Sequence, residues 1–439
     1  MVKLKHLRHP FRTVSTAKSL FAARWSMWRF ADHGARRFRG DPRYDLQNVT
    51  DGFRSRLDNS GGDDELLERI CAAYIRAVEQ QQFAPKIYKA SEWWQQVRQG
   101  SLGPVARALL TRDISTLRRM YRNFFRDPCS SGLLGVPFGM SKAYFGGTIK
   151  DFHRRFYLSH VLYRFDYWKA QTQNRFVLRD LAGPGIGNPF GVLIEETHIN
   201  VGAEYAHYCA HRIDSLLDSK IATVAEIGGG FGGMAYYLLR NRPEVTYLDF
   251  DVPESVALTS YYLIKAFPKL KFLLYGEGQL TADAISQSDV ALLPLFELDA
   301  MPTGSVDLTF SSHSMSDISS EAMVEYLRQI DSMTRDYFLY IGKERTNDSI
   351  SDLFDQGGHS FELSEARASG WHSQKVSGAG SALGSRSTIL EQVYTRTALG
   401  VDFTTTASTM ERNSLFSRIS SKPGSTAAQG SSASLSSND

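Results

Sequence analysis

The sequence VAEIGGGFGGMAYYLLRNRPEVTYLDFDVPE, residues 224–254, contains a short apolar run, a glycine-rich turn, a helical stretch and a second apolar run that ends in an acid. The glycines, in the pattern Glu226-x-Gly228-x-Gly230-x-Gly232, let the backbone approach a ligand where any Cβ would clash. The second run stops at Asp251, whose carboxylate can accept hydrogen bonds from both hydroxyls of a ribose. This order of elements predicts a doubly wound α/β domain that binds an adenosine.

The alternation of helices and strands continues beyond this stretch. We predict a helix over 255–266, a second at about 320–333, and strands at 270–275, 305–311 and 337–341. The segment LLPLFEL between them is predicted to be irregular. The last two strands are placed at 371–376 and 389–395, antiparallel at the sheet edge. Alternating elements of this length imply a parallel sheet with right-handed crossovers.

The region before residue 224 has helical periodicity. Apolar residues recur at spacings of three and four from Asp63 onward, and further helices are predicted at about 105–117, 118–126 and 200–217. The segment 132–191 is different, because it is rich in glycine and aromatic residues. Such loops either pack against a core or shape a pocket, so this segment is a candidate platform for an acceptor.

Length and composition exclude several classes of protein. With 439 residues, of which 42% are hydrophobic, the chain is long enough for two domains with real cores. No run of about 18 apolar residues occurs, so the sequence predicts no membrane-spanning helix. The cysteines, Cys71, Cys129 and Cys209, are far apart and have no His or Cys at metal-ligand spacing. We therefore expect neither disulfides nor a zinc site, and a cytoplasmic location.

Basic residues are concentrated at the amino end. Residues 1–40 hold ten Lys or Arg and one acid, Asp32, so their net charge of +9 leaves −6 for the rest of a chain whose total is +3. A globally basic body that binds nucleic acid is therefore not expected. Phe21, Trp25 and Trp28 share one helical face among these charges, which is typical of an interfacial helix on anionic lipid. A poorly ordered arm and an organellar transit segment are the alternatives.

These patterns divide the chain into four predicted segments. Residues 1–40 form the basic arm, and residues 41–199 form a mainly helical region that contributes to acceptor binding. Residues 200–403 form the α/β domain. Residues 404–439 are rich in Ser, Thr, Ala and Gly and cannot bury enough apolar surface to offset the entropy of ordering, so a disordered tail is predicted.

The adenosine ligand has two candidate classes. Gly228, Gly230 and Gly233 also satisfy G-x-G-x-x-G, the fingerprint of NAD and FAD sites. However, Glu226 lies two residues before the first glycine, where its charge would face the pyrophosphate of a dinucleotide but suits the cationic methionyl end of S-adenosylmethionine. The second strand ends within DVPE, and the glycine-rich domain comes second in the chain rather than first. These features favour S-adenosylmethionine.

The sequence resembles the class I SAM-dependent methyltransferases, and within them the sugar O-methyltransferases of bacterial glycan gene clusters. The resemblance runs from about residue 93 to 397 and is carried by NPFG (188–191), EIGGGFGG (226–233), DVPE (251–254) and SSHSMSD (311–317). It implies a Rossmann-like methyltransferase sheet preceded by a mainly helical N-terminal domain, with S-adenosyl-L-methionine as cofactor. The family's adenine-contacting acid has only Glu277 as a loose match. The expected cofactor contacts are Glu226, Gly228, Gly229, Gly230, Gly232, Asp251, Ser311 and Ser312.

The resemblance also points to a catalytic base. An alcohol of high pKa must lose its proton as it accepts a methyl group, and a histidine suits that role. Plant-type O-methyltransferases carry their base as the histidine of an H-x-x-S-D string just past the fourth strand, and His313 matches that position. Alternatively, His313 is a structural loop residue, and Ser316 and Asp317 cap the next helix. No metal is expected, although Asp307, Asp317 and His359 are candidate ligands if one assists.

Three functions remain open at this stage. The first is a SAM-dependent O-methyltransferase that acts on a sugar or glycan hydroxyl in polysaccharide biosynthesis, held near the inner membrane face by residues 1–40. The second is an NAD(P)-dependent oxidoreductase, for which a hydride-site pair such as Tyr and Lys is missing from the sequence motifs. The third is a catalytically silent methyltransferase-like module that binds a partner and would tolerate loss of His313.

Overall fold

The computed structural model describes residues 10–57, 61–89, 92–134, 149, 151–219, 221–356, 358–372 and 388–397. The predicted tail, 404–439, lies outside the described residues, as do residues 398–403 and residues 135–148 and 150 of the glycine- and aromatic-rich segment 132–191. All the described residues belong to one compact unit.

The centre of the molecule is an eight-stranded sheet with the order β5-β6-β4-β3-β7-β8-β10-β9. Its first six strands in this order are parallel, and β10 is antiparallel to both of its neighbours. The strands are β3 (Ala222–Ile227), β4 (Val245–Asp251), β5 (Phe272–Leu274), β6 (Val290–Pro294), β7 (Val306–Ser312), β8 (Thr334–Lys343), β9 (Phe361–Ala368) and β10 (Ile389–Arg396). A separate antiparallel hairpin consists of β1 (Gly191–Ile194) and β2 (Thr197–Asn200).

The chain reverses its direction of travel across the sheet at β3. From β3 it moves to β4 on one side, and it later returns to add β7 on the other side. In open α/β sheets the crevice at such a switch point, outside the carboxyl ends of the strands, is where ligands bind. The glycine loop follows β3, Asp251 ends β4, and the serine-rich segment follows β7, so all three meet at this crevice.

Helices cover the two faces of this sheet. The α/β part contains α8 (Ala203–Leu216), α9 (Gly233–Asn241), α10 (Pro253–Ala266), α11 (Ala282–Ser286), α12 (Ser320–Met333) and α13 (Glu344–Asp355). The fold predicted from the sequence, a Rossmann-like sheet preceded by a mainly helical region, is therefore confirmed.

Three local predictions were wrong. The LLPLFEL segment is not irregular throughout, because Val290–Pro294 forms β6 between β5 and β4. The strand predicted at 371–376 is a short 3-10 turn where it is described, at Gly370–His372, and the penultimate strand is Phe361–Ala368. Strand β9 escaped prediction because five successive side chains within it, residues 362–366, are exposed and Leu363 is the only large apolar residue among them, so its apolar alternation is weak.

Seven helices among the described residues precede the β1–β2 hairpin. They are α1 (Pro10–Arg37), α2 (Leu46–Gly52), α3 (Asp64–Gln81), α4 (Glu92–Gln99), α5 (Gly103–Leu110), α6 (Ile114–Tyr121) and α7 (Asp151–Gln171). The helix predicted across 105–117 is interrupted, since Arg112 adopts a left-handed φ of 52° between α5 and α6 and Asp113 caps α6 through its side chain. No described helix is long and apolar enough to cross a bilayer.

Buried polar contacts join the helical region to the sheet domain. The Asp63 carboxylate, before α3, accepts from Lys265 Nζ at 2.8 Å and from the Tyr261 hydroxyl at 3.1 Å, both on α10. The Tyr74 hydroxyl of α3 donates to Glu254 Oε1 of α10 at 2.9 Å. Because a buried carboxylate is costly without partners, these contacts fix α3 against the helix that begins just after Asp251. The helical region therefore forms one wall beside the crevice.

Candidate functional site

The glycine loop after β3 has a backbone that only glycine adopts readily. Gly228, Gly230 and Gly232 have φ of 84°, 66° and 86°, in the left-handed region. A Cβ on Gly228 would lie 2.2 Å from Ser314 Cβ, and one on Gly229 would lie 2.6 Å from Asp249 Oδ1. The loop is half-buried, and Gly232 starts α9. The sequence motif thus forms a backbone cradle that packs so closely against Ser314 and Asp249 that no Cβ would fit.

Carboxylates lie directly beneath this cradle. Glu226 pairs with Asp249 in the β3–β4 register, and Asp251 is two residues further along the same face of β4. The Tyr247 hydroxyl donates to Glu226 Oε2 at 2.5 Å, and Asp249 Oδ1 accepts from the Gly229 N–H at 3.1 Å. Asp249 was not among the predicted site residues. The alternation Tyr-x-Asp-x-Asp in β4 was the available signal, but only the register shows that Glu226 completes the cluster.

Burial raises the pKa of each of these carboxyl groups. The pKa of Glu226 rises to about 7, chiefly through burial, and the Asp251 charge adds to the rise. Burial also raises the pKa of Asp251, to about 6, although the hydrogen bond from Ser255 opposes this. The pKa of Asp249 is raised well above its usual value by burial and by its two charged neighbours. Negative charge is therefore available here near neutral pH and would be favoured by a bound cation.

Asp251 organises the end of β4. Its Oδ2 accepts from the Gly230 N–H at 3.0 Å and from the Ser255 hydroxyl at 2.5 Å, and its Oδ1 accepts from the Val252 N–H at 2.7 Å. The side chain is half-buried, so part of the carboxylate faces the crevice. Thr259 of α10 also donates to the Gly230 carbonyl, at 2.8 Å. Asp251 therefore couples the glycine loop to the start of α10.

The segment after β7 closes the opposite side of the cradle. The Ser311 and Ser314 hydroxyls both donate to the Ile227 carbonyl, at 3.0 and 2.5 Å, and lie 2.7 Å from each other. Ser312 lies 2.7 Å from the Tyr205 hydroxyl of α8. Ser311 is thus committed to holding the β3 and β7 exits together, whereas Ser312 faces α8.

His313 occupies the turn between β7 and the next short helix. Its φ is 64°, and its backbone N–H donates to the Ile341 carbonyl at 2.8 Å. Burial lowers the pKa of the imidazole to about 4, and the charge of Lys343 contributes to the decrease. The ring is therefore neutral and able to accept a proton throughout the physiological range. A left-handed non-glycine residue is typical of a constrained functional position, and this strain is consistent with such a role.

One aromatic side chain that the sequence did not single out as a site residue, Tyr205, adjoins His313, and a second, Trp371, packs behind it. The Tyr205 ring centroid is 6.4 Å from that of His313, and Trp371 packs edge-on against Tyr205 at 5.5 Å. Trp371 also lies against Tyr167 of α7 at 4.9 Å. These residues are far apart in sequence, so only the tertiary fold reveals an aromatic wall on the β7 side of the crevice.

The helical region reaches the glycine loop directly. The Leu133 carbonyl lies 3.2 Å from the position of a Cβ on Gly230, and Phe231 packs against Phe124 and Phe125. A narrow apolar gap also adjoins the crevice, lined by Pro253 and Pro294 at the ends of β4 and β6 and by residues of α3 and α10. These contacts bring part of the N-terminal region to the glycine loop, whereas residues 135–148 and 150 of the candidate platform 132–191 lie outside the described residues.

The remaining candidates have other roles. Glu277 forms an ion pair with Arg69 at 2.6 Å and accepts from the Leu274 N–H, so it stabilises the β5 turn. Asp307 lies near the amino end of β7, paired with Arg335 at 2.6 Å, while His359 lies beside Asp331. Asp307 and His359 are therefore not brought to the crevice where His313 lies. Within the part of the chain that the structure describes, no group of three His, Cys, Asp or Glu residues could hold a metal ion.

Known proteins were compared with this chain. No protein-family model and no curated protein matches it. Among solved structures, it is similar to the mitomycin 7-O-methyltransferase MmcR, with 14% identity over 44% of this chain and 55% of that one and a TM-score of 0.29. The pyocyanin biosynthetic protein PhzM has 14% identity over 44% of this chain and 56% of that one, with a TM-score of 0.29. A SAM-dependent methyltransferase from Aquifex aeolicus has 13% identity over 42% of this chain and 87% of that one, with a TM-score of 0.28.

The alignments span about half the length of the first two of these proteins. With TM-scores of this size they support no conclusion about activity. The functional inference below therefore rests on the crevice of this chain.

Proposed function

We propose that the chain is a SAM-dependent O-methyltransferase that transfers a methyl group to a hydroxyl of a sugar or glycan. One observation carries the proposal. A glycine cradle above three buried carboxyl groups, and a neutral histidine, lie at the same switch-point crevice, with Ser314 in contact with the cradle next to His313 in sequence. The sugar acceptor is proposed from the sequence resemblance.

The residues at the cradle fit S-adenosylmethionine. Gly228 and Gly229 let the loop backbone pack closely against Ser314 and Asp249, which fixes it at the carboxyl end of β3, and Asp251 is the group that would accept hydrogen bonds from ribose hydroxyls. Asp251, whose pKa is about 6, and Glu226 when it is ionised supply negative potential for a cation, whereas the same charges would repel a pyrophosphate. When bound, the cofactor supplies an electrophilic methyl group on a positively charged sulfur.

The chain's own residues then have two tasks on the acceptor side. His313 would accept the acceptor's hydroxyl proton, since its low pKa keeps the imidazole unprotonated at neutral pH. Ser312 and Tyr205, 2.7 Å apart, would fix the position of the acceptor beside it. Burial of the crevice between the helical region and the sheet would exclude water and hold the reactants in line, which supplies a large part of the rate.

Calorimetric titration with S-adenosylhomocysteine, S-adenosylmethionine and NADH tests the cofactor. We expect binding of the first two, and a decrease in their affinity of about 10-fold to 100-fold in Asp251→Ala, because one or two charge-assisted hydrogen bonds are lost. Asp352→Ala, which removes an exposed carboxylate on α13, is the control and should bind like the wild type. Binding of NADH alone would refute the proposal in favour of an oxidoreductase.

Transfer itself is tested with S-adenosylmethionine that carries an isotopically labelled methyl group. The label should appear, in a base-stable form, on sugar nucleotides or glycans and not on matched deoxy-sugars that lack the accepting hydroxyl. Cofactor binding without transfer to any hydroxyl compound would instead support a catalytically silent module.

A further inference from the structure

Helix α1 (Pro10–Arg37) has two faces with different environments. The inner face packs on α7: the Phe30 ring lies 5.6 Å from Phe156 and 5.4 Å from Tyr163. Gly34 lies so close to α7 that a Cβ there would be 2.2 Å from Ser159 Oγ. These contacts attach the carboxyl-terminal half of α1 firmly to the body of the protein.

The outer face of α1 exposes two large aromatic side chains. Trp25 and Trp28 are 53% and 48% exposed, and their rings stack with centroids 5.2 Å apart. At 100° per residue both lie on the side opposite Phe30 and Gly34, so the inner-face packing cannot bury them. Stacked tryptophans that remain exposed next to each other form an apolar patch of the kind that marks an interaction surface. Phe21, predicted on the same face, has a side chain outside the described residues.

The charge around this patch is positive. Arg24 and Arg29, which flank the tryptophans in sequence, are exposed, and Arg36 extends the exposed basic surface towards the end of the helix. Asp32 is the only acid in residues 1–40, and it pairs with Arg36 at 2.5 Å. Three exposed arginines and one acid leave this face a net charge of +2, and together with the exposed tryptophans this makes it complementary to a negatively charged apolar interface.

We propose that the outer face of α1 docks on an anionic membrane surface, with Trp25 and Trp28 in the headgroup region and Arg24 and Arg29 at the lipid phosphates. Tryptophan prefers the boundary between headgroups and acyl chains, where its ring is buried and its N–H stays hydrated. Arginine gains about 1 kcal/mol near such a surface. The helix is fixed to the body by its inner face, so it would lie in the plane of the interface.

The charge distribution argues against two other occupants. A second copy of this face would bring like charges together, which disfavours self-association through α1. A nucleic acid would also meet the rest of the chain, whose net charge is −6, and repulsion would limit its contact to the helix. The proposal is independent of the methyl-transfer reaction and concerns only where the protein is held.

Co-sedimentation with vesicles tests the proposal. The full chain should bind vesicles of 70% phosphatidylcholine and 30% phosphatidylglycerol at low salt, and binding to pure phosphatidylcholine should be at least tenfold weaker. Trp25→Ala/Trp28→Ala should weaken binding at least tenfold. Arg24→Gln/Arg29→Gln should weaken it about 30-fold, from two lost electrostatic contacts. The tryptophan fluorescence of the wild type should shift to shorter wavelength on binding.

Matched variants separate docking from general surface effects. Phe83→Ala removes an aromatic side chain that is 81% exposed but lies beyond α3, and Lys269→Gln/Arg345→Gln removes two exposed charges elsewhere. Both should bind like the wild type, and far-ultraviolet circular dichroism should show that all variants are folded. Equal binding by the tryptophan variant, or no binding by the wild type, would refute the proposal. So would a dimer that Trp25→Ala/Trp28→Ala dissociates, or tighter binding to nucleic acid.

Discussion

The two sides of the crevice differ in chemistry. On the β3–β4 side, Glu226, Asp249 and Asp251 form a buried acidic layer whose pKa values are all raised. On the β7 side, hydroxyls surround a histidine whose pKa is lowered. Burial drives both shifts, and in each case it favours the neutral form. One side therefore gains negative charge when a cation arrives, while the histidine on the other side stays unprotonated at neutral pH.

The largest expected effect comes from filling the cradle. Gly228→Ala would place a Cβ 2.2 Å from Ser314 Cβ at a φ of 84°, so the loop must move. We expect the affinity for S-adenosylhomocysteine to fall more than 100-fold, measured by calorimetry. Ser314→Gly in the same chain should restore part of it by removing the clash. Gly185→Ala, where nothing lies within 4 Å, is the control, and wild-type affinity in Gly228→Ala would contradict the cradle.

Removal of the proposed base, on the β7 side, should lower the rate of methyl transfer without changing cofactor binding. His313→Ala should lower kcat by about 100-fold to 1,000-fold while the dissociation constant of the cofactor stays within twofold. Because His313 acts unprotonated and its pKa is lowered to about 4, the wild-type rate should be constant above pH 5 and fall only towards pH 4. Lys343→Gln removes a charge that lowers this pKa and should move the midpoint upward. An unchanged kcat in His313→Ala would remove the histidine from the mechanism.

The raised pKa of Glu226, on the acidic side, should make the free energy of unfolding depend on pH. The pKa of Glu226 is raised from 4.5 to about 7 in the folded state, so between these pH values the folded protein holds a proton that the unfolded chain has lost. The free energy of unfolding therefore decreases as the pH rises from 4.5 to 7. Glu226→Gln removes this loss, about 3 kcal/mol in the free energy of unfolding at pH 8. Its melting temperature relative to the wild type should therefore rise from pH 5 to pH 8. Glu244→Gln, at an exposed position, is the control and should show no such trend. A pH-independent difference between Glu226→Gln and the wild type would show that the pKa of Glu226 is not raised in the folded state.

The smallest effect is expected at the aromatic wall. Tyr205→Phe removes the hydroxyl 2.7 Å from Ser312 but keeps the ring, so one neutral hydrogen bond is lost, about 1 kcal/mol. The rate should fall a few-fold, with the change in KM of the acceptor rather than in cofactor affinity. Tyr44→Phe, whose hydroxyl is 3.5 Å from Ser159 on α7, serves as the matched variant. A change in cofactor affinity instead would place Tyr205 on the other side of the crevice.

Local features of this site could be predicted from the sequence, whereas features that depend on register could not. The glycine motif and Asp251 belong to one continuous stretch, and their spacing carries the geometry. Asp249 joins the acidic layer only because β3 and β4 pair so that it lies beside Glu226. Tyr205 reaches His313, and Trp371 reaches Tyr205, from distant parts of the chain. Strand β6 was missed because a proline within a short apolar run argues against a strand, whereas here Pro294 is the last residue of the strand.

Helix α7 gives the molecule a fixed internal distance. Tyr163 packs against Phe30 of α1. Tyr167, one turn further along α7, is held in place because it packs against Trp371 and its hydroxyl accepts from the Gly370 N–H at 2.8 Å. A single rigid turn therefore links the helix proposed to rest on lipid with the aromatic wall of the crevice. Under the proposed function, the depth at which a membrane-tethered acceptor meets His313 would be set by helix packing rather than by a linker, and this depth would select acceptors by how far they project from the bilayer.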